Sequence, residues 1–174
     1  MSLNGKKVAV FAEDIYEDLE LQYPLLRLRE AGADVVVVGP EAKTYHSKYG
    51  YPVVATVTSA QAAATAFDAV VVPGGFAPDK MRRDPNILKI VRDANDNGKV
   101  VAAICHAGWV LVSAGVLKGK TVTSTPAIKD DLINAGATWV DKEVVVDGKM
   151  VTSRRPDDLP AFCREIIAVM ESAG

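Results

Sequence analysis

Four short runs of β-branched and apolar residues punctuate the chain: Lys7–Ala12 (KVAVFA), Asp34–Val38 (DVVVV), Ala69–Val72 (AVVV) and Lys99–Ile104 (KVVAAI). Each is almost continuously apolar, the pattern of parallel strands buried on both faces. Segments of helix length lie between them. Pro85–Asn97 opens with Asp84 as cap and Pro85 at the first helical position. Its Ile87, Ile90, Val91 and Ala94 share one face, and Gly98 ends it. Leu19–Ala31 is helical in pattern, with Leu19, Tyr23 and Leu26 aligned and Pro24 predicting a kink or a late start.

Strand–helix alternation predicts an α/β fold, an open and mostly parallel sheet with helices on both faces. Two stretches depart from it. Tyr45–Val57 has Gly50 between two short runs and predicts a small β-excursion. Glu143–Val146 and Met150–Thr152 flank Asp147-Gly148, a hairpin signal. A last helix, Leu159–Ser172, is predicted with Asp157 or Asp158 as cap. No linker or repeat divides the sequence, so residues 1–174 are expected to form one domain.

Composition narrows the function. Net charge is −2, which leaves no basic surplus for phosphates and argues against nucleic acid as a primary partner. No apolar run approaches membrane-spanning length, and the polar start, Met1 to Lys7, does not read as a signal peptide. With two cysteines, Cys105 and Cys163, no disulfide framework or zinc spacing is present. A cytoplasmic setting, no metal and no cofactor are the expectations. Gly119-Lys120-Thr121 mimics the end of a phosphate-binding loop, but Ala114 stands where that loop needs glycine.

The chemistry concentrates in Val100–Trp109 (VVAAICHAGW). A buried strand runs into Cys105, and a helical pattern with Val110, Leu111 and Ala114 follows at once. The chain must turn sharply at Cys105, as it does at strand–nucleophile–helix elbows. Ala103, Ala107 and Gly108 are small enough for close approach of strand and helix. A thiol at a helix start meets free N–H groups and the positive end of the dipole, which lowers its pKa. Cys163 sits among Phe162 and Ile166 and reads as core. The third strand ends in Pro73-Gly74-Gly75, a turn that can aim an N–H at a developing oxyanion. Gly75 N–H and His106 N–H are the expected donors. Only His46 and His106 exist, and no histidine follows Cys105 other than its neighbour. A Cys…His…Glu triad in that chain order is therefore excluded. His106 is the better base, and His46 reads as an exposed structural residue. Five acids, Glu13, Asp14, Glu17, Asp18 and Glu20, follow the first strand, and one of them could reach the thiol.

The run AICHAGWVLVSAGVLKGK, together with EDIYEDLELQYP, FDAVVVPGGFAPDKMR, IKDDLINAGATWVDKEVVVDG and TSRRPDDLPAF, resembles the PfpI-type intracellular proteases of the DJ-one/PfpI superfamily. The resemblance spans nearly the whole chain. It implies a flavodoxin-like three-layer α/β/α sandwich with Cys105 as nucleophile and His106 beside it. It puts the acid that hydrogen-bonds the cysteine on Glu17. A carboxylate reaching the histidine from a neighbouring subunit falls on Asp79, where many members carry Glu. Many members read Cys-His-Gly-Pro where this chain has Cys-His-Ala-Gly-Trp, so Trp109 is expected to reshape the pocket beside Gly74 and Gly75. Some carry Tyr where Thr125 stands here.

The activities implied are glutathione-independent glyoxalase chemistry, repair of glycated amines, and peptidase action in stress defence. All begin with a thiolate attacking a carbonyl of a small molecule or peptide. A homo-oligomer, dimer or hexamer, with the site at the subunit boundary is also implied. The alternative reading is a redox sensor or chaperone whose oxidisable residue is the same cysteine.

Overall fold

The computed structural model describes residues 2–172. The termini of the expected domain, Met1, Ala173 and Gly174, lie outside the described residues. The first strand, β1 (Lys7–Phe11), leads to α1 (Asp18–Glu30) and β2 (Asp34–Gly39). The excursion then forms an antiparallel hairpin of β3 (Thr44–His46) and β4 (Pro52–Val54). After β5 (Val57–Thr58) and α2 (Ser59–Ala62) come β6 (Ala69–Val72), α3 (Ala77–Met81) and α4 (Pro85–Asp96). Next are β7 (Val100–Ile104), a 3-10 turn at Cys105–Ala107 and α5 (Gly108–Ala114). The chain ends through β8 (Thr121–Val122), α6 (Lys129–Asn134), β9 (Thr138–Trp139), the hairpin β10 (Val144–Asp147) and β11 (Met150–Ser153), and α7 (Leu159–Glu171).

The seven-stranded sheet has the order β10-β11-β7-β6-β1-β2-β5. All its pairs are parallel except β10 with β11. This is the flavodoxin-like arrangement. Helices α1 and α7 pack together on one face, and α2, α4 and α5 on the other. The predicted runs form the four central strands, and every residue of β6 and β7 is buried. Burying a Val or Ile side chain contributes about 1.5–3 kcal/mol, so this apolar slab holds the sheet rigid beneath the loops at its edge.

Three local expectations are revised. Helix α1 starts at Asp18 and runs through Pro24, with no late start. Its aligned Leu19, Tyr23 and Leu26 are exposed, and the core face is Leu21, Leu25 and Leu28. Asp158 lies at the start of α7 but makes no side-chain cap there, because its carboxylate receives the Arg154 guanidinium at 3.0 and 3.1 Å. By contrast, Asp84 caps α4 as its sequence implied, accepting Asn86 N–H at 2.8 Å.

Candidate active site

Strands β1, β6 and β7 run parallel, so their C-terminal ends open on one edge. The winding of the chain reverses between β1 and β6, the point where open α/β sheets bind ligands. Strand β7 delivers Cys105 there. Cys105 has φ 62°, in the left-handed region, and the 3-10 turn begins at the same residue. A non-glycine residue held in this way costs about 1–3 kcal/mol, a strain typical of functional positions. Gly108 is needed for a different close approach, that of α5 to α6 and the turn before it: a Cβ there would lie 3.0 Å from Ile128 Cδ1 and 3.1 Å from Leu132 Cδ1.

Cys105 Sγ lies 3.3 Å from His106 Nδ1. The backbone amides of His106 and Gly75, expected from the sequence to hold an oxyanion, lie beside the Cys105 sulfur and favour its charged form. Gly75 has φ 82°, and a Cβ there would meet the Glu17 backbone nitrogen at 2.4 Å. Only glycine fits this turn. A Cβ on Gly74 would strike Glu20 Oε2 at 2.3 Å and Cys105 Cβ at 2.8 Å.

The acid beside the thiol is Glu20, not Glu17. Glu17 is the N-cap of α1, and its carboxylate accepts the Glu20 N–H at 2.9 Å. Its other oxygen faces Lys48 Nζ at 3.7 Å. Glu20 sits one helical turn further on and is fully buried. Its Oε2 accepts Gly74 N–H at 2.8 Å, and the carboxyl stands next to Cys105, near enough for their charges to interact. Oε1 is buried and accepts no hydrogen bond from the described residues. Burial, reinforced by the Glu17 charge, pushes the Glu20 carboxyl up to about 8. Near neutral pH it keeps its proton and serves as a donor.

The thiol does not follow the direction expected of a helix start. Burial pushes Cys105 up, and a charged Glu20 pushes it further, against the pull of the His106 and Gly75 amides. A protonated Glu20 removes the repulsion and offers an O–H to the sulfur. Burial holds the His106 imidazole below its usual value, so it is neutral near pH 7 and able to accept a proton.

Backbone hydrogen bonds lock the surrounding loops. Ile15, with φ 65°, is a β-branched residue in the left-handed region. Its carbonyl accepts the N–H groups of Phe76 and Ala77 at 2.9 and 3.2 Å. Its own N–H reaches the His46 carbonyl at 2.8 Å, and Glu17 N–H donates to Gly74 O at 3.0 Å. Loop β1–α1, turn β6–α3 and hairpin β3–β4 are thereby joined around the sulfur. His46 contributes backbone here and is exposed.

Cys105, His106, Glu17, Glu20 and Lys48 line one cavity of about 390 Å³. Its remaining wall is Ile15, Gly75, Phe76, Trp109 and Pro156. Trp109 is fixed from two sides: its indole N–H donates to Asp131 at 2.8 Å, and the Arg82 guanidinium lies 5.6 Å from the ring centroid. Its ring meets His106 edge-on at 5.2 Å. Asp79 does not line this cavity and pairs with Arg83 of its own chain. Cys163 is buried in α7. Among the described residues no His, Cys, Asp and Glu cluster fits a metal ion, and no helix is long and apolar enough to cross a membrane.

Sequence reasoning missed Glu20 as the partner of the thiol, and Lys48, Arg82 and Asp131 altogether. No local signal separates Glu20 from Glu17, because Asp14, Glu17 and Glu20 repeat at the same three-residue spacing. Lys48, Arg82 and Asp131 carry no local signature.

The chain is 46% identical over 165 residues to the deglycase PH1704 of Pyrococcus horikoshii, covering 95% of this chain and 99% of that one. It is 42% identical over 169 residues to the protein/nucleic acid deglycase 2 of Escherichia coli, covering 95% and 98%. A solved two-domain protein of Anabaena variabilis, with DJ-1/ThiJ/PfpI-like and ferritin-like domains, superposes with a TM-score of 0.91 at 45% identity. The match covers 94% of this chain and 47% of that one, so this chain spans about half of that protein. The DJ-1/PfpI family model matches residues 6–169, the stretch that holds every loop around Cys105, and the chain belongs to that family.

Proposed function

We propose that this chain is an enzyme whose Cys105 attacks the aldehyde of 2-oxoaldehydes, including those released when their hemiaminal adducts with amines revert to amine and aldehyde. One observation carries the reading: a strained Cys105 whose sulfur meets two backbone amides, a buried acid and a neutral imidazole at 3.3 Å. The deglycase names of the relatives support it.

In the proposed sequence, His106 takes the thiol proton as sulfur adds to the aldehyde carbon. The new oxyanion is held by the Gly75 and His106 amides and receives that proton back. His106 then moves a proton from the former aldehyde carbon to the neighbouring ketone carbon, through an enediol. The result is a thioester of a 2-hydroxy acid. Water cleaves it and restores the thiol. The net reaction adds one water to methylglyoxal to give lactate, with one carbon oxidised and its neighbour reduced. Glu20 donates its O–H to the sulfur throughout. Any action of Asp79 on His106 requires a second copy of the chain.

Carbonyl chemistry ranks above peptidase action because the relatives named deglycase support it and a cavity of about 390 Å³ is sized for a small carbonyl compound. Incubation with methylglyoxal and assay of lactate tests the proposal. Lactate from the wild type and none from Cys105→Ala or Cys105→Ser is expected. Full activity in either variant overturns the mechanism. Selective addition of two oxygens to Cys105 by mild peroxide, with no turnover, favours the redox reading instead.

A further inference from the structure

The cavity is larger than the smallest substrate of the proposed reaction needs. Methylglyoxal has five non-hydrogen atoms and fills on the order of 100–150 Å³ at about 30 Å³ per water-sized group. The cavity holds about 390 Å³. The catalytic groups stand at its floor. The surplus is walled by Ile15, Phe76, Trp109 and Pro156.

These walls have two notable properties. Ile15 and Phe76 are 42% and 50% exposed beside the nucleophile, large apolar surfaces left for a ligand to cover. Trp109 is held in place: Asp131 takes its indole N–H, Arg82 lies over its ring, and Ser113 Oγ accepts Arg82 Nε–H at 2.9 Å. An aromatic side chain fixed in this way is a preorganised platform. Charge points the same way. The ionisable lining beside the nucleophile pair is Glu17, Glu20 and Lys48, and Lys48 already faces Glu17. Among the described residues lining the cavity, Lys48 is the cationic side chain, and it is matched by Glu17.

We infer that the site takes 2-oxoaldehydes bearing an uncharged aromatic or bulky apolar group on the ketone carbon in preference to methylglyoxal, with Trp109 as the specificity-determining residue. This rests on the reaction proposed above. For phenylglyoxal the same steps add one water and give mandelate, the aldehyde carbon being oxidised and the ketone carbon reduced. Covering the apolar wall favours the larger substrate by tenfold or more in kcat/KM.

The test compares kcat/KM for phenylglyoxal, methylglyoxal and 4-carboxyphenylglyoxal, each divided by the compound's rate of addition to a free thiol. Wild type is expected to favour phenylglyoxal over methylglyoxal at least tenfold and over the carboxylated analogue at least fivefold. Trp109→Ala should lower the phenylglyoxal-to-methylglyoxal ratio at least fivefold. Trp109→Leu, which keeps an apolar body, should give an intermediate ratio and covers the case where the alanine variant fails to fold. Lactate formation with a ratio of one or less overturns the inference and leaves the proposed reaction standing. A preference for the carboxylated analogue overturns the apolar character of the site. Turnover of none of the three overturns the reaction itself.

Discussion

The carboxylate of Glu17 accepts the backbone N–H of Glu20 at 2.9 Å. The two acids stand one helical turn apart and have different roles because of that bond. Glu17 closes the start of α1 and stays in contact with Lys48 at the rim. Glu20 is carried inward to the thiol and loses all exposure. Glu17→Ala should therefore act through the fold, costing about 1 kcal/mol as a lost helix cap with a modest effect on kcat. Glu20→Gln should cut kcat by about 100-fold while the protein remains folded, since a weaker amide N–H that cannot shuttle a proton replaces the acid O–H beside the sulfur. Urea denaturation and steady-state kinetics on both variants separate the two roles. Equal kinetic losses count against the assignment.

How much of this was legible beforehand depends on distance along the chain. Cys105, His106, Gly74 and Gly75 announce themselves because strand, turn and helix are contiguous there, and local sterics select the residues. The four central strands were legible for the same reason, through their unbroken apolar runs. Helix α1 read with its exposed stripe as the aligned one, because Leu19, Tyr23 and Leu26 are apolar yet face outward. Lys48, Arg82 and Asp131 reach the site across the fold, and no local pattern encodes contacts of that kind. Glu20 lies between the two cases: its neighbourhood was evident, and its direction depended on which acid capped the helix.

Activity should follow a bell in pH. Burial lowers the His106 imidazole, so the base stays neutral to below pH 6.5 and the acid limb lies there. The Glu20 carboxyl titrates near 8, so loss of its proton sets the alkaline limb. Measuring kcat/KM for methylglyoxal from pH 5 to pH 10 should show both limbs. The alkaline limb near 8 should vanish in Glu20→Gln at its lower level of activity. A limb that persists unchanged there belongs to another group.

The same carboxyl makes stability depend on pH. Its pKa is 4.5 in a free chain and about 8 in the fold. Between these values the folded state keeps a proton that the unfolded state has released, so stability declines as pH rises through the window. The loss is complete once the folded carboxyl ionises near 8, and amounts to roughly 2–5 kcal/mol. Urea midpoints of wild type and Glu20→Gln should lie close together at pH 4.5 and diverge at pH 8, with the glutamine variant the more stable there. Parallel curves across the window would place the proton elsewhere.

Ile15 stores conformational strain at φ 65°. Ile15→Gly should leave stability unchanged or raise it by about 1 kcal/mol, in contrast to the loss expected of Ile→Gly at an ordinary loop position. The glycine variant should also hold the Gly75 amide less firmly and lower kcat several-fold with little change in KM. Chemical denaturation beside kinetics checks both halves. A clear loss of stability removes the strain argument.

The double acceptance by the Ile15 carbonyl has a further consequence. Any substitution that shifts the backbone of the acid-rich loop drags the glycine turn with it, and with that turn one of the two amides facing the sulfur. Reactivity is thus adjustable by mutation in a segment remote along the chain, with the nucleophile and its imidazole neighbour left untouched. A lineage could tune or silence the chemistry by loop drift alone, so an intact Cys-His dipeptide is weaker proof of an active enzyme than the dihedral angle of residue 15.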